Sequence, residues 1–291
     1  MRYWLWPLVV FGSLGVASAG FGFGWPAGLV VFLASTVNVL AVFALEHVYP
    51  RVRQPGVFRD SQSPNDIAHG VLVASVSRTL AGPLAVVALA VAGRVGSRSL
   101  RDLWWPGSWP FAAQVVLGLA VFSFVGYWTH RWYHTVGWLW SFHLLHHDTS
   151  EMQVLKANRI HLGEDVVRQW CALVPLYIFG VPARVLIWMA LWNNVEGSIA
   201  HANVDCRFPR WAHRMLPTPQ NHLLHHAIDR DYQQSNYAGV TPIWDAMFGT
   251  YRHPLDHRVT AFGVLDHRMP PQFLGQLAYP FTASTALDRR L

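Results

Sequence analysis

Residues 110–147 read PFAAQVVLGLAVFSFVGYWTHRWYHTVGWLWSFHLLHH. From Phe111 to Tyr127 the run is apolar apart from Gln114 and Ser123, and close to the roughly 20 residues that cross a bilayer as a helix. It then passes without a break into His130 and His134, and a second group follows at His143, His146 and His147. On a helix each residue turns the face by about 100°, so positions i, i+3 and i+4 lie on one side. Each group therefore aims its imidazoles one way, just past the apolar end of a membrane helix.

The same spelling returns in Asn221-His222-Leu223-Leu224-His225-His226. Unliganded imidazoles packed this closely would repel when protonated and compete for donors. Neutral imidazole is the commonest protein ligand for metal, and a structural zinc site needs only four. Eight clustered histidines exceed that, so two metal ions are expected. His201, after Asn193, Asn194 and Glu196 at the end of an apolar run, is a ninth candidate ligand. His161, in the run Asn158 to Glu164, is an additional candidate, with a role behind the ligands or towards substrate as the competing reading. His47, His69, His213, His253, His257 and His267 stand alone and read as core or interface residues.

The composition places the chain among membrane proteins. Of 291 residues 52% are hydrophobic and only 13% charged, against about 25% charged in soluble domains. Mean hydropathy is +0.22. The 15 tryptophans suit interfacial belts. The net charge of +6 lies on arginines scattered between apolar runs, which fits anionic headgroups and positive-inside topology and excludes the basic stripe of a nucleic-acid module. Cys171 and Cys206 form no CxxC pair, so sulfur-based zinc or redox chemistry is not indicated.

Along the chain, residues 4–22 and 27–48 read as two membrane helices broken at Trp25-Pro26. Arg2, the first apolar run and Ala17-Ser18-Ala19 loosely imitate a signal peptide, but the second apolar run that follows argues for a retained helix. The polar stretch 50–65 carries Arg51, Arg53 and Arg59 and is expected on the cytoplasmic side. Residues 66–93 read as a kinked span or a re-entrant hairpin, and 94–109 as a loop. The segments 166–179 and 184–200, separated by Gly180-Val181-Pro182, look like a helical hairpin inserted from one side. After Ala200 no spanning run remains. The zinc-protease pattern His-Glu-x-x-His, the Gly-x-Ser-x-Gly elbow and a dinucleotide glycine loop are all absent.

Redox iron with open positions can activate dioxygen, and a site just above the bilayer core would receive a lipid from below. The pattern resembles the fatty acid hydroxylase/sterol desaturase superfamily. The order His-x3-His, His-x2-His-His, a later His and a second His-x2-His-His is similar to that family's signature. So are His201-Ala202-Asn203, Pro219-Gln220-Asn221, Asn236-Tyr237, Trp244-Asp245 and Phe248-Gly249-Thr250-Tyr251.

The resemblance implies an all-α, integral-membrane, multi-pass protein with a cytosolic helical cap carrying the histidine clusters. It implies membrane helices and loop over 1–65, a catalytic core over 66–255 and a C-terminal tail over 256–291. The implied ligands of two iron ions are His130, His134, His143, His146, His147, His201, His222, His225 and His226, with dioxygen as co-substrate. The implied activity is hydroxylation or desaturation of a sterol or fatty-acyl lipid. No cytochrome-b5-like or flavin domain flanks the core, so electrons are expected from a separate cytochrome b5- or ferredoxin-type donor with its reductase. Some members carry a further His four residues before the position of His201. Here Gly197 stands there, which leaves open whether the metal sphere is one imidazole short or is filled by water or His161. A lipid-cleaving oxygenase on the same scaffold and a membrane metal-binding or transport protein are the competing functions. Transport predicts ionisable groups inside the spans, whereas these clusters follow the spans.

Overall fold

The computed structural model describes residues 2–76, 79–80, 104–265 and 269–282. Most of the span or hairpin expected over 66–93, the loop expected up to residue 103, and His267 lie outside them. Within the described residues the chain is helical, with two isolated β-bridges and no strand.

Helices α1 (Leu5–Gly22) and α2 (Ala27–Val48) form an antiparallel pair, and α3 (Phe111–Thr135) is the third long apolar helix. All three are long and apolar enough to cross a membrane. Pro26 and Pro110 stand at the N-caps of α2 and α3 with extended backbone, where a missing N–H costs nothing. Helix α4 (Gly137–His147) follows α3 after the single extended residue Val136 and folds back against it. The expected hairpin is present as α5 (Leu162–Ile178) and α6 (Ala183–Ala200). Short helices α7 (Pro219–His225), α8 (Arg230–Gln233) and α9 (Ile243–Met247) follow. Helix α10 (Phe273–Thr282), in the stretch expected as a tail, packs on α4.

Helices α1, α2 and α6 share a core of Val10, Val42, Val195 and Ile199, while Leu176, Val185 and Met189 join α5 and α6 beside α3. Between apolar helices in lipid, close packing and buried hydrogen bonds hold the bundle. Ser13 donates to Asn38, which donates to Ser198, so one polar string ties α1, α2 and α6. Gly118 lets α3 approach α6, since a Cβ there would lie 2.5 Å from the Met189 sulfur.

Candidate metal centre

The nine expected histidines converge as two nests. His130, His134, His143, His147 and His225 form one, and His146, His201, His222 and His226 the other, with the ligand atoms of each within 4.8 Å of one another. Helical geometry explains the division. Within a triplet the i+3 residue sits about 100° around from the i+4 residue, so the two flanks of the face look at different points. Helix α4 sends His143 and His147 to the first nest and His146 to the second. The α7 triplet does the converse, sending His225 to the first and His222 and His226 to the second. The repeated spelling is thus two complementary halves of a two-centre site. His201, the C-cap of α6, completes the second nest.

Backbone and carboxylate acceptors fix the proton on these rings. The Nδ1–H groups donate to Tyr237 O from His130 at 2.6 Å, Arg159 O from His146 at 3.2 Å, Gly197 O from His201 at 2.9 Å and Ser235 O from His225 at 2.7 Å. That of His143 donates to Glu164 Oε1 at 2.9 Å. A neutral imidazole carries one N–H, so each Nε2 here is a bare lone pair. Yet His130 Nε2 lies 3.0 Å from His143 Nε2, His225 Nε2 3.1 Å from His130 Nε2, and His201 Nε2 3.1 Å from His146 Nε2. Two lone pairs at that distance repel unless a cation lies between them. Nitrogens about 2.1 Å from a shared ion at a right angle are about 3.0 Å apart, as seen. Both ring nitrogens of His134 and His147 are buried without a partner. The donor set therefore fits two metal ions.

The electrostatics agree. Burial, then repulsion from neighbouring imidazoles, holds His146, His147, His222 and His226 well below the usual histidine range. Burial lowers His201 to about 4 and His225 to about 3. These rings are neutral at physiological pH, the form that binds metal.

His161 lies outside both nests. It caps α5, its Nδ1 accepting the Gly163 N–H at 2.9 Å while Nε2–H donates to Leu277 O at 3.0 Å. With both nitrogens engaged, it does not fill the position opposite Gly197, and a Cβ on Gly197 would meet nothing within 4 Å. The second nest holds four imidazoles against five in the first. The lone histidines read as structural are engaged elsewhere: His69 with Gln276, His47 with Phe43 O and His213 with Thr218.

The scaffold behind the nests is less visible in the sequence. Asp245 accepts from Tyr237 N, Ala238 N and Thr250 Oγ1 at 2.7–2.9 Å, which sets the Tyr237 carbonyl that His130 uses. Asn236, at φ 54°, turns the chain into that position, and its side chain bonds the backbone of Arg252. Arg159 donates to Leu145 O and to Asp66, and Asp66 also binds Lys156 at 2.6 Å. Glu46 Oε1 accepts from Val154 N and Asn203 N at 2.8 Å, tying the end of α2 to the segment after His201. A carboxylate near a polar backbone turn was the available signal, but nothing in its spacing points to its partner.

A family model described as fatty acid hydroxylase matches residues 115–250, which hold all nine histidines. An ornithine lipid hydroxylase, OlsE, of Rhizobium tropici is 33% identical over 288 residues, covering 96% of this chain and 83% of the relative. The chain belongs to the fatty acid hydroxylase/sterol desaturase superfamily. Membership makes it an oxidoreductase. Human alkylglycerol monooxygenase is 30% identical over 152 residues, 52% of this chain and 33% of the relative. Methylsterol monooxygenase 1-3 of Arabidopsis thaliana is 25% identical over 177 residues, 58% and 57% respectively. The chain thus spans a third to a little over half of these two relatives. No solved structure matches it.

Proposed function

We propose that this protein is a membrane-bound oxygenase with two irons that hydroxylates a C–H bond of an acyl lipid, of the ornithine-lipid type named for the relative that spans nearly the whole chain. The observation that carries it is the set of bare Nε2 lone pairs facing each other at 3.0–3.1 Å. Iron held by those nine imidazoles supplies the activation of dioxygen. The overall change consumes one dioxygen, two electrons and two protons, and yields one hydroxyl on the lipid and one water.

The chain's own residues supply placement and exclusion. Apolar α3 delivers His130 and His134 at its end, so a lipid chain reaches the centre from the bilayer side. Buried Leu144, Leu145, Leu223 and Leu224 stand between the histidines of the triplets and help keep bulk water out. The segment bearing Arg51 and Arg53 is tied to the stretch that follows His201, with Arg51 N–H bonded to Asn203 O, which supports a cytoplasmic position for the centre. Electrons then come from a separate cytosolic or membrane-attached donor. Hydroxylation is preferred to lipid cleavage because the relative that spans nearly the whole chain is named a lipid hydroxylase.

The test is lipid mass spectrometry of cells expressing the chain under heavy-isotope dioxygen. The expected product is a membrane lipid that has gained one oxygen from the gas and is absent with His146→Ala. A shortened lipid with an aldehyde partner would instead indicate cleavage, and an unchanged lipid profile would refute the oxygenase.

A further inference from the structure

Glu164 is buried to 3% exposure, and its side chain makes one hydrogen bond, from His143 Nδ1 at 2.9 Å. Its other oxygen, Oε2, is buried with no partner. Taking a carboxylate out of water for a single hydrogen bond is costly unless a positive charge answers it. Among the described residues no Lys or Arg is within ion-pair distance of Glu164; its one ion-pair partner is the His143 ring. Arg168, one turn further along α5, bonds Asp165 and reaches Glu164 only as a longer-range charge. The direct contact of the carboxylate runs through the His143 ring, so the cation aligned with it is on the far side of that ring, where His143 Nε2 faces His130 Nε2.

The placement is built, not incidental. Glu164 stands in the first turn of α5, where helix N–H dipoles favour an anion. The His161 cap sets that turn, and Phe142 packs against Gly163, whose Cβ would sit 2.7 Å from the ring. Tyr133, whose ring lies 5.6 Å from that of His143, donates its hydroxyl to the Glu164 carbonyl at 3.1 Å. The contrast with the other rings is the point. His130, His146, His201 and His225 hand their Nδ1–H to neutral backbone carbonyls.

We infer that Glu164 is a charge-bearing positioning residue for His143, and that it makes the five-histidine nest the tighter and more electron-rich of two unequal metal sites. This rests on the two-metal proposal above. A carboxylate behind an imidazole fixes its tautomer and raises its basicity, and losing such a partner typically weakens metal binding about 10–100-fold. Four imidazoles against five, with neutral backbone carbonyls behind His146 and His201 and no carboxylate behind them, make the second nest the weaker one.

The experiment uses full-length protein in detergent, stripped of metal, with ferrous iron added without oxygen in competition with a chelator. Wild type should bind two irons in separable phases. Glu164→Ala should weaken the tighter phase about 10–100-fold and leave the other unchanged. Glu164→Gln keeps an acceptor for Nδ1–H and removes the charge. It should retain both irons and move the ferric/ferrous potential of the tighter site to a more positive value, which a purely structural role would not do. Circular dichroism confirms that each variant is folded. Unchanged affinities and potential in both variants, or equal weakening of both phases, would overturn the inference. Wild type binding fewer than two irons would sink the two-metal proposal itself, whatever the variants do.

Discussion

Asp66→Ala should be among the most damaging single changes outside the nests. Asp66 is fully buried, and it pairs with Lys156 at 2.6 Å and Arg159 at 2.8 Å, themselves 2% and 1% exposed. Lys156 keeps Asp60 at 2.5 Å, so the loss falls on Arg159, left with Leu145 O and a long contact to Gln62. Removing one partner of a buried pair leaves an uncompensated charge and costs about 3–5 kcal/mol. The exposed pair Arg210–Asp256 is the internal control, and Arg210→Ala should change stability little because solvent screens that pair. Denaturant unfolding of the purified protein measures both. Arg159 also donates to Leu145 O and offers its own carbonyl to His146, so Asp66→Ala should lower metal retention as well. Adding Arg159→Met to Asp66→Ala should recover part of the stability, because removing both partners of a buried pair is often nearly neutral. A single-variant loss no larger than that of Arg210→Ala would refute the view of this network as the clamp behind α4.

Three further outcomes are expected. His146→Ala should abolish lipid oxidation and remove iron chiefly from the four-histidine nest, seen as a fall in iron per chain; full activity would exclude His146 as a ligand. Gly197→Ala should keep the fold and raise stability by up to about 1 kcal/mol, since Ala suits a helix interior better and its Cβ meets open space; marked destabilisation in unfolding experiments would contradict that geometry. The metal-free protein should be destabilised by acid. His201 and His225 sit at about 4 and 3 when folded against about 6.5 unfolded, so below pH 6.5 the unfolded chain binds protons that the folded chain does not. Melting temperature should be flat above pH 7 and fall from about pH 6.5 towards 4. A melting temperature that rises on acidification would contradict neutral buried rings.

The three apolar helices and the eight clustered histidines were legible because each rests on a local rule, spanning length in one case and the i, i+3, i+4 face in the other, while His201 was marked only by polar groups at the end of an apolar run. The division into two nests was not read, although the 100° spread within His143-x2-His146-His147 contains it. What could not be read is long-range. Asp66 lies 93 positions from Arg159, and Glu46 108 from Val154, and no periodicity joins such pairs. His161 shows the limit of composition. A histidine beside a ligand-rich region looks like a ligand, and only its bonds to Gly163 and Leu277 reveal a helix cap. Trp244-Asp245 was recognisable as part of a pattern, but its work, holding the Tyr237 carbonyl for His130, appears only in three dimensions.

The most direct test of the central claim is the metal count of the intact protein, purified from cells grown with iron and measured per chain by elemental analysis. Two irons per chain, falling when any of His143, His146, His222 or His225 is replaced by Ala, is the predicted result. A single zinc per chain, or a metal content indifferent to those substitutions, would contradict it.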